Sequence, residues 1–188
     1  MRKNYTRSIC VFCGSELGTR ASHNLLAIKL GEKIVHYNLR LVYGGGNLGL
    51  MGTIATEVQN NGGTVLGIIP QTLKTLEVAK DDIETLVVTD DMHARKKLMY
   101  VNSDLIMVLP GGIGTLDEFF EVLTWAQLDL HKKPIILLDN DDFWRPLLDL
   151  ISHQIDEGFV SPKTLTLFST FSNIETAFDH LLEKGIIV

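Results

Sequence analysis

The sequence predicts an α/β domain on a parallel, doubly wound sheet, and three observations lead there. Short apolar runs alternate with longer segments of helical period along all 188 residues. The runs are rich in Val, Ile and Leu with little polar alternation, the pattern of strands that helices cover on both faces. No linker, repeat or low-complexity stretch interrupts the β-α-β rhythm, so one domain accounts for the whole length.

Taken in order, strands are expected at Ser8–Cys13, Leu39–Tyr43, Thr64–Ile69, Glu84–Thr89, Leu105–Leu109, Pro134–Leu138 and Leu165–Ser169. Helices are expected between them at Ala21–Tyr37, Leu50–Asn61, Met92–Val101, Leu116–Leu130, Phe143–Glu157 and Ile174–Lys184. Asp90 or Asp91 supplies a side-chain acceptor to cap the helix after Val87-Val88-Thr89. Pro134 opens its strand, a position where a missing backbone donor is tolerated.

Composition narrows the function classes. Hydrophobic residues make up 45% and charged residues 21%, which excludes a disordered or disulfide-stapled chain. The net charge of −6, with Lys and Arg scattered among the acids, argues against nucleic acid as a partner. The longest apolar runs are too short to cross a bilayer, and no membrane partner is expected. The first residues, Met1 to Thr6, are polar and lack the apolar core of a signal peptide, so a cytoplasmic location is expected.

Cys10 and Cys13 have the C-x-x-C spacing of redox and zinc sites. Both lie in the apolar run Ile9-Cys10-Val11-Phe12-Cys13, where residues three apart point to opposite faces of a strand. No further Cys or spaced His completes a zinc site, so buried structural thiols and no metal are expected.

Ligands of open α/β sheets bind outside the carboxyl ends of the strands. Three of those ends are glycine-rich: Cys13-Gly14-Ser15-Glu16-Leu17-Gly18, Tyr43-Gly44-Gly45-Gly46-Asn47-Leu48-Gly49, and Leu109-Pro110-Gly111-Gly112-Ile113-Gly114-Thr115. Each can be a tight turn, but three at one edge point to an anionic ligand on main-chain amides and helix dipoles. Gly44, Gly46 and Gly49 satisfy G-x-G-x-x-G, yet the following strand ends in Pro70-Gln71 without the acid that grips a dinucleotide ribose. A P-loop is absent as well. A mononucleotide fits better.

Glu118 lies three residues after Thr115, on the same helix face, a few ångströms from an anion held at the helix start. It either serves chemistry on a sugar there or complements the positive helix end. Met92-His93-Ala94-Arg95-Lys96-Lys97 opens another helix, where cations oppose the dipole, a local conflict typical of functional sites. Arg95 offers a bidentate fork for phosphate or carboxylate, while Lys96 and Lys97 also fit a solvated face.

These motifs carry a resemblance. Pro110-Gly111-Gly112-Ile113-Gly114-Thr115-Leu116-Asp117-Glu118 resembles the PGGxGTxxE signature of the LOG (Lonely Guy) family, and Met92-His93-Ala94-Arg95-Lys96 resembles its MHxRK motif. The likeness extends to Phe12-Cys13-Gly14-Ser15, Val42-Tyr43-Gly44-Gly45-Gly46, Gly49-Leu50-Met51-Gly52, Thr124-Trp125-Ala126-Gln127-Leu128 and Glu157-Gly158-Phe159. It implies a Rossmann-like fold, a homodimer and hydrolysis of the N-glycosidic bond of a nucleoside 5′-monophosphate. By position, the resemblance places catalytic roles on Arg95 and Glu118. It places substrate contacts on Lys96, Gly112, Ile113, Gly114, Thr115, Leu116, Asp117 and Thr124, and a further glutamate on Glu77; contacts at Gly14, Ser15 and Gly45 are expected from the glycine-rich strand ends.

Cleavage at C1′ passes through an oxocarbenium-like state. Gly112, Gly114 and Thr115 are expected to anchor the phosphate, Glu118 to face the cationic sugar and orient water, and Arg95 to steady charge on phosphate or base. No cofactor is called for. Two alternatives stand beside this: a non-catalytic nucleotide sensor on the same fold, and a pyridoxal-phosphate decarboxylase, for which no lysine sits in an obviously buried, apolar setting.

Overall fold

The computed structural model describes residues 5–188, so the first four residues of the polar opening stretch lie outside it. Seven strands form one sheet: β1 (Arg7–Phe12), β2 (Leu39–Tyr43), β3 (Thr64–Pro70), β4 (Thr85–Thr89), β5 (Leu105–Val108), β6 (Ile135–Leu138) and β7 (Ser169–Phe171). Their order is β4-β3-β2-β1-β5-β6-β7, and every described pairing is parallel. Six helices connect them: α1 (Ala21–His36), α2 (Gly49–Asn60), α3 (Met92–Val101), α4 (Ile113–Gln127), α5 (Arg145–Asp156) and α6 (Ile174–Glu183). This is the doubly wound α/β architecture that the strand composition predicts.

Two apolar layers cover the sheet. On one face Ile9, Val11 and Cys13 of β1 and the residue after it pack with Leu30 of α1, Ile54 of α2 and Phe178 of α6. On the other, Cys10 and Phe12 pack with Met99 of α3, Phe119 of α4 and Ile151 of α5. Each such side chain removed from water contributes about 1.5–3 kcal/mol, so both helical layers are held mainly by burial. The pleat therefore separates the two thiols, and Cys10 and Cys13 are both free and buried. Burial pushes both thiols well above their ordinary range, so neither is a thiolate.

The element boundaries differ from expectation in two places that matter. The last strand is Ser169–Phe171, and Leu165 belongs to a 3-10 turn, Pro162–Thr166. Ser161 Oγ caps that turn at the Lys163 amide, and Thr166 donates back to the Lys163 carbonyl. Local side-chain bonds thus win over the β propensity of the run. Helix α4 begins at Ile113, three residues ahead of the expected start, which puts Glu118 in its second turn. Asp91, not Asp90, caps α3, accepting from the Ala94 amide at 2.8 Å. Pro134 lies just before β6, and its carbonyl accepts from Ile106 N at 2.9 Å.

The strand order reverses between β1 and β5. Loops after neighbouring strands diverge there to opposite faces, which opens a crevice at the carboxyl edge.

Candidate active site

The three glycine-rich strand ends meet at this crevice but do different work. The amides of Leu50 and Met51, at the start of α2, both donate to the Gly14 carbonyl, at 3.1 and 3.4 Å. That helix end is therefore occupied by protein. Gly14 N in turn donates to the Pro110 carbonyl at 3.1 Å, so one residue fastens all three loops together. Gly49 takes φ +57 and packs directly on the Ser15–Glu16 backbone, where a side chain would collide. The second glycine run is thus a close-packing device, which is why its G-x-G-x-x-G reads falsely as a dinucleotide fingerprint.

Helix α4 is different. Its N-cap, Gly112, has no side-chain capping bond, so its first amides and the positive end of its dipole face the crevice. A pocket of about 160 Å³ lies there. Cys13, Gly14 and Ser15 wall it from the β1 loop, Met51 from α2, and Glu77 from the segment after β3. Arg95 of α3 and Gly112, Ile113, Gly114, Thr115 and Glu118 complete it.

Arg95 is the pivot of the pocket. Only 4% exposed, it donates through Nη2 to the Gly44 carbonyl at 3.0 Å and to Glu77 Oε2 at 3.3 Å. Its Nη1 lies 3.8 Å from Met92 Sδ, and its Nε has no partner. The guanidinium lies against Gly44, where a β-carbon would collide with it. Such a buried cation requires carboxylate company, and two glutamates supply it. Glu77, whose backbone amide donates to Leu73 O, is the ion-pair partner. Its segment is stitched to the second glycine run: Asn47 N donates to the carbonyls of Glu77 and Val78, and Lys80 N to that of Gly45.

Glu118 is the second carboxylate. Burial pushes its pKa up from 4.5 to about 7, with Arg95 pulling it down and Glu77 pushing it further up. A carboxyl that titrates near neutrality can exchange protons at working pH. Burial also raises the pKa of Glu77, against the pull of Arg95. One buried cation between two desolvated carboxylates, beside an uncapped helix end, suits an anionic ligand whose reaction develops positive charge.

The structure separates the expected site residues into groups. Gly14, Ser15, Glu77, Arg95, Gly112, Ile113, Gly114, Thr115 and Glu118 share the pocket. Thr115 is 3% exposed, and its hydroxyl sits over Gly111, so it is packed within the loop and not displayed at the helix start. Lys96 does not line the pocket. Its ammonium bridges α3 to α4, 3.1 Å from Asp117 and 3.2 Å from Glu121, with the side chain only 11% exposed. Asp117 is thus the partner of Lys96, and Leu116 points elsewhere than the pocket wall. Thr124 is exposed, two turns beyond Glu118 on α4, outside the pocket. Gly45 takes φ +77 against Ile69 and Leu86 and shapes the turn. One lysine is buried after all: Lys80, 6% exposed, whose ammonium pairs with Asp82 at 3.0 Å and does not line the pocket. Met51 of α2 and Cys13 at the end of β1 also wall the pocket, and as apolar residues they carry no chemical signal in the sequence.

Similarities to known proteins agree with this geometry. A family model described as "possible lysine decarboxylase" matches residues 51–181. The cytokinin riboside 5′-monophosphate phosphoribohydrolase of Rhodococcoides fascians is 45% identical over 172 residues, 91% of this chain and 87% of its own length. An Arabidopsis thaliana protein of the same name is 46% identical, over 86% of this chain and 75% of its own. Among solved structures, the molybdenum cofactor binding protein of Rippkaea orientalis superposes with a TM-score of 0.70 at 26% identity, covering 99% and 98% of the two chains. With both signature motifs converging on one pocket and matches of this extent, the chain belongs to the LOG family.

Proposed function

We propose that the protein hydrolyses the N-glycosidic bond of a nucleoside 5′-monophosphate, releasing the free base and ribose 5-phosphate. The observation that carries this is the convergence of Glu118 and Arg95 on one pocket at the uncapped start of α4. The names of the relatives at 45% and 46% identity support the same reaction.

In this reading the amides of Gly112, Gly114 and Thr115 and the α4 dipole hold the 5′-phosphate. Gripping a group remote from the reaction fixes C1′ against the carboxylates and spends binding energy on the transition state. Glu118, ionised, takes a proton from water as the oxygen attacks C1′. The C1′–N bond breaks, its electrons leave with the base, and the base gains a proton. The carboxylates of Glu118 and Glu77 stabilise the cationic sugar, and Arg95 keeps both from repelling each other out of place. No cofactor enters these steps. Lys80, held by Asp82 away from the pocket, gives a pyridoxal-dependent decarboxylation no Schiff-base lysine there.

The acting form is a homodimer in this proposal, and exposed apolar side chains on neighbouring helices support it: Met92 and Val101 of α3, Ile113 of α4 and Leu128 just beyond. Two free cysteines fit the reducing cytoplasm. No helix among the described residues is long and apolar enough to cross a membrane. The test is incubation with AMP and with an N6-isopentenyl adenosine monophosphate, followed by chromatography for free base. Release from either bears the proposal out; nucleotide binding without release makes the protein a sensor instead.

A further inference from the structure

Beside the pocket just described lies a second chamber of about 340 Å³, on the other side of the Gly111–Gly112 turn. The two cavities share Gly14, Ser15 and Gly112. The chamber is roofed by the β1 loop and floored by Leu50 and Phe143. Its notable wall is His23, the third residue of α1.

His23 is 5% exposed, and its Nε2 has no hydrogen-bond partner. Its Nδ1 edge lies against Gly18, which takes φ +72, at a distance where a β-carbon would stand 2.9 Å away. Phe143 holds the ring edge-on, with centroids 5.4 Å apart. A polar ring buried without a partner destabilises the fold unless a ligand completes it. The helix that carries it has no side-chain cap either: Arg20, its N-cap, makes none, and its guanidinium donates to the Asp141 carbonyl instead. Ser22 Oγ donates to the Asp141 carboxylate as well, and the His23 amide to the Arg20 carbonyl at 3.2 Å, so the start of α1 is tied down at the rim.

Two uncapped helix N-termini, α1 after β1 and α4 after β5, therefore flank the point where the strand order reverses. Thr19 and His23 bring the start of α1 to the second chamber, as Gly112 brings that of α4, and Leu17, Leu50, Pro110 and Phe143 give it apolar walls that keep the local dielectric low. We propose that the phosphate seat has two halves and that His23 supplies a ring N–H to the 5′-phosphate of the substrate. This inference rests on the hydrolase reading for the identity of the phosphate ester. The chamber has room for a phosphate group and the C5′ carbon, with the sugar passing under Gly112 toward Glu118. His23 is a specificity residue here: it distinguishes a nucleotide from a nucleoside.

The test measures binding of ribose 5-phosphate by calorimetry and AMP kinetics on His23→Ala, His23→Phe and His23→Gln. Loss of the donor in Ala and Phe should weaken ribose 5-phosphate binding about tenfold and raise KM for AMP alike, with kcat within about threefold. Gln, which keeps an N–H, should recover most of that loss, and cleavage of the unphosphorylated nucleoside should be the same in all four proteins. The Phe variant keeps the packing on Phe143, so it remains informative if Ala fails to fold. A folded His23→Phe that binds ribose 5-phosphate within twofold of wild type overturns the proposal. Because that binding is read without turnover, a wild type that binds the sugar phosphate but frees no base sinks only the hydrolase reading.

Discussion

Replacing Glu118 by glutamine should inactivate the protein and stabilise it in the same stroke. The carboxyl titrates at about 7 in the folded state, raised from 4.5 by burial net of the pull from Arg95. Between those two values the folded chain holds a proton that the unfolded chain has already released. Stability therefore falls as pH rises through that window, and the whole cost is present above about pH 8. At 1.36 kcal/mol for each pH unit, the shift corresponds to about 3 kcal/mol. Glutamine keeps the shape without the charge, so the variant regains most of that amount at high pH and none at about pH 4, where both forms are neutral. For a domain of this size about 3 kcal/mol is worth roughly 5–10 °C in Tm. Thermal melts of both proteins at low and high pH, alongside AMP turnover, read the effect. A stability difference that does not grow with pH would show that the Glu118 carboxyl is solvated, and the argument that it is poised for proton exchange would fail.

Three further outcomes follow from the same geometry. The pH–rate profile for AMP should rise through about 7 and then level off, because Glu118 must be ionised to accept the proton of water; a rate that falls across that range contradicts this assignment. Gly44→Ala puts a methyl against the Arg95 guanidinium and should lower kcat/KM at least about tenfold while the protein stays folded, as judged by circular dichroism. Lys96→Met leaves Asp117 and Glu121, one turn apart on α4, without the α3 cation that joins them; it should cost about 1–2 kcal/mol in urea unfolding and leave KM for AMP within about twofold, whereas a large KM change would restore Lys96 to the substrate.

Fold and site were legible to different depths. Strands such as Leu105–Val108 announce themselves because burial on both faces imposes an unbroken apolar run. Ser169–Phe171 was only touched at Ser169 because it is short and edge-placed, and the apolar run from Leu165 just upstream looks like a strand although Leu165 belongs to a 3-10 turn. Glycine-rich ends marked the right edge of the sheet, yet composition alone could not say which held a ligand. That depended on where amides go, and the Gly14 carbonyl takes those of α2. Arg95 and Glu118 lie far apart in sequence, so only the family signatures paired them. The resemblance also sets Lys96 and Thr124 at the substrate, and neither lines this pocket. His23 sent no signal, since a histidine in an apolar helix resembles any core position until its missing partner is seen.

Gly14 joins three loops whose residues lie near positions 14, 50 and 110. No short stretch of chain can assemble that knot by itself, and the cavity beside it exists only after distant parts have docked. Partly folded chains should therefore be devoid of ligand affinity, and titratable binding capacity can serve as a direct count of native molecules in any preparation.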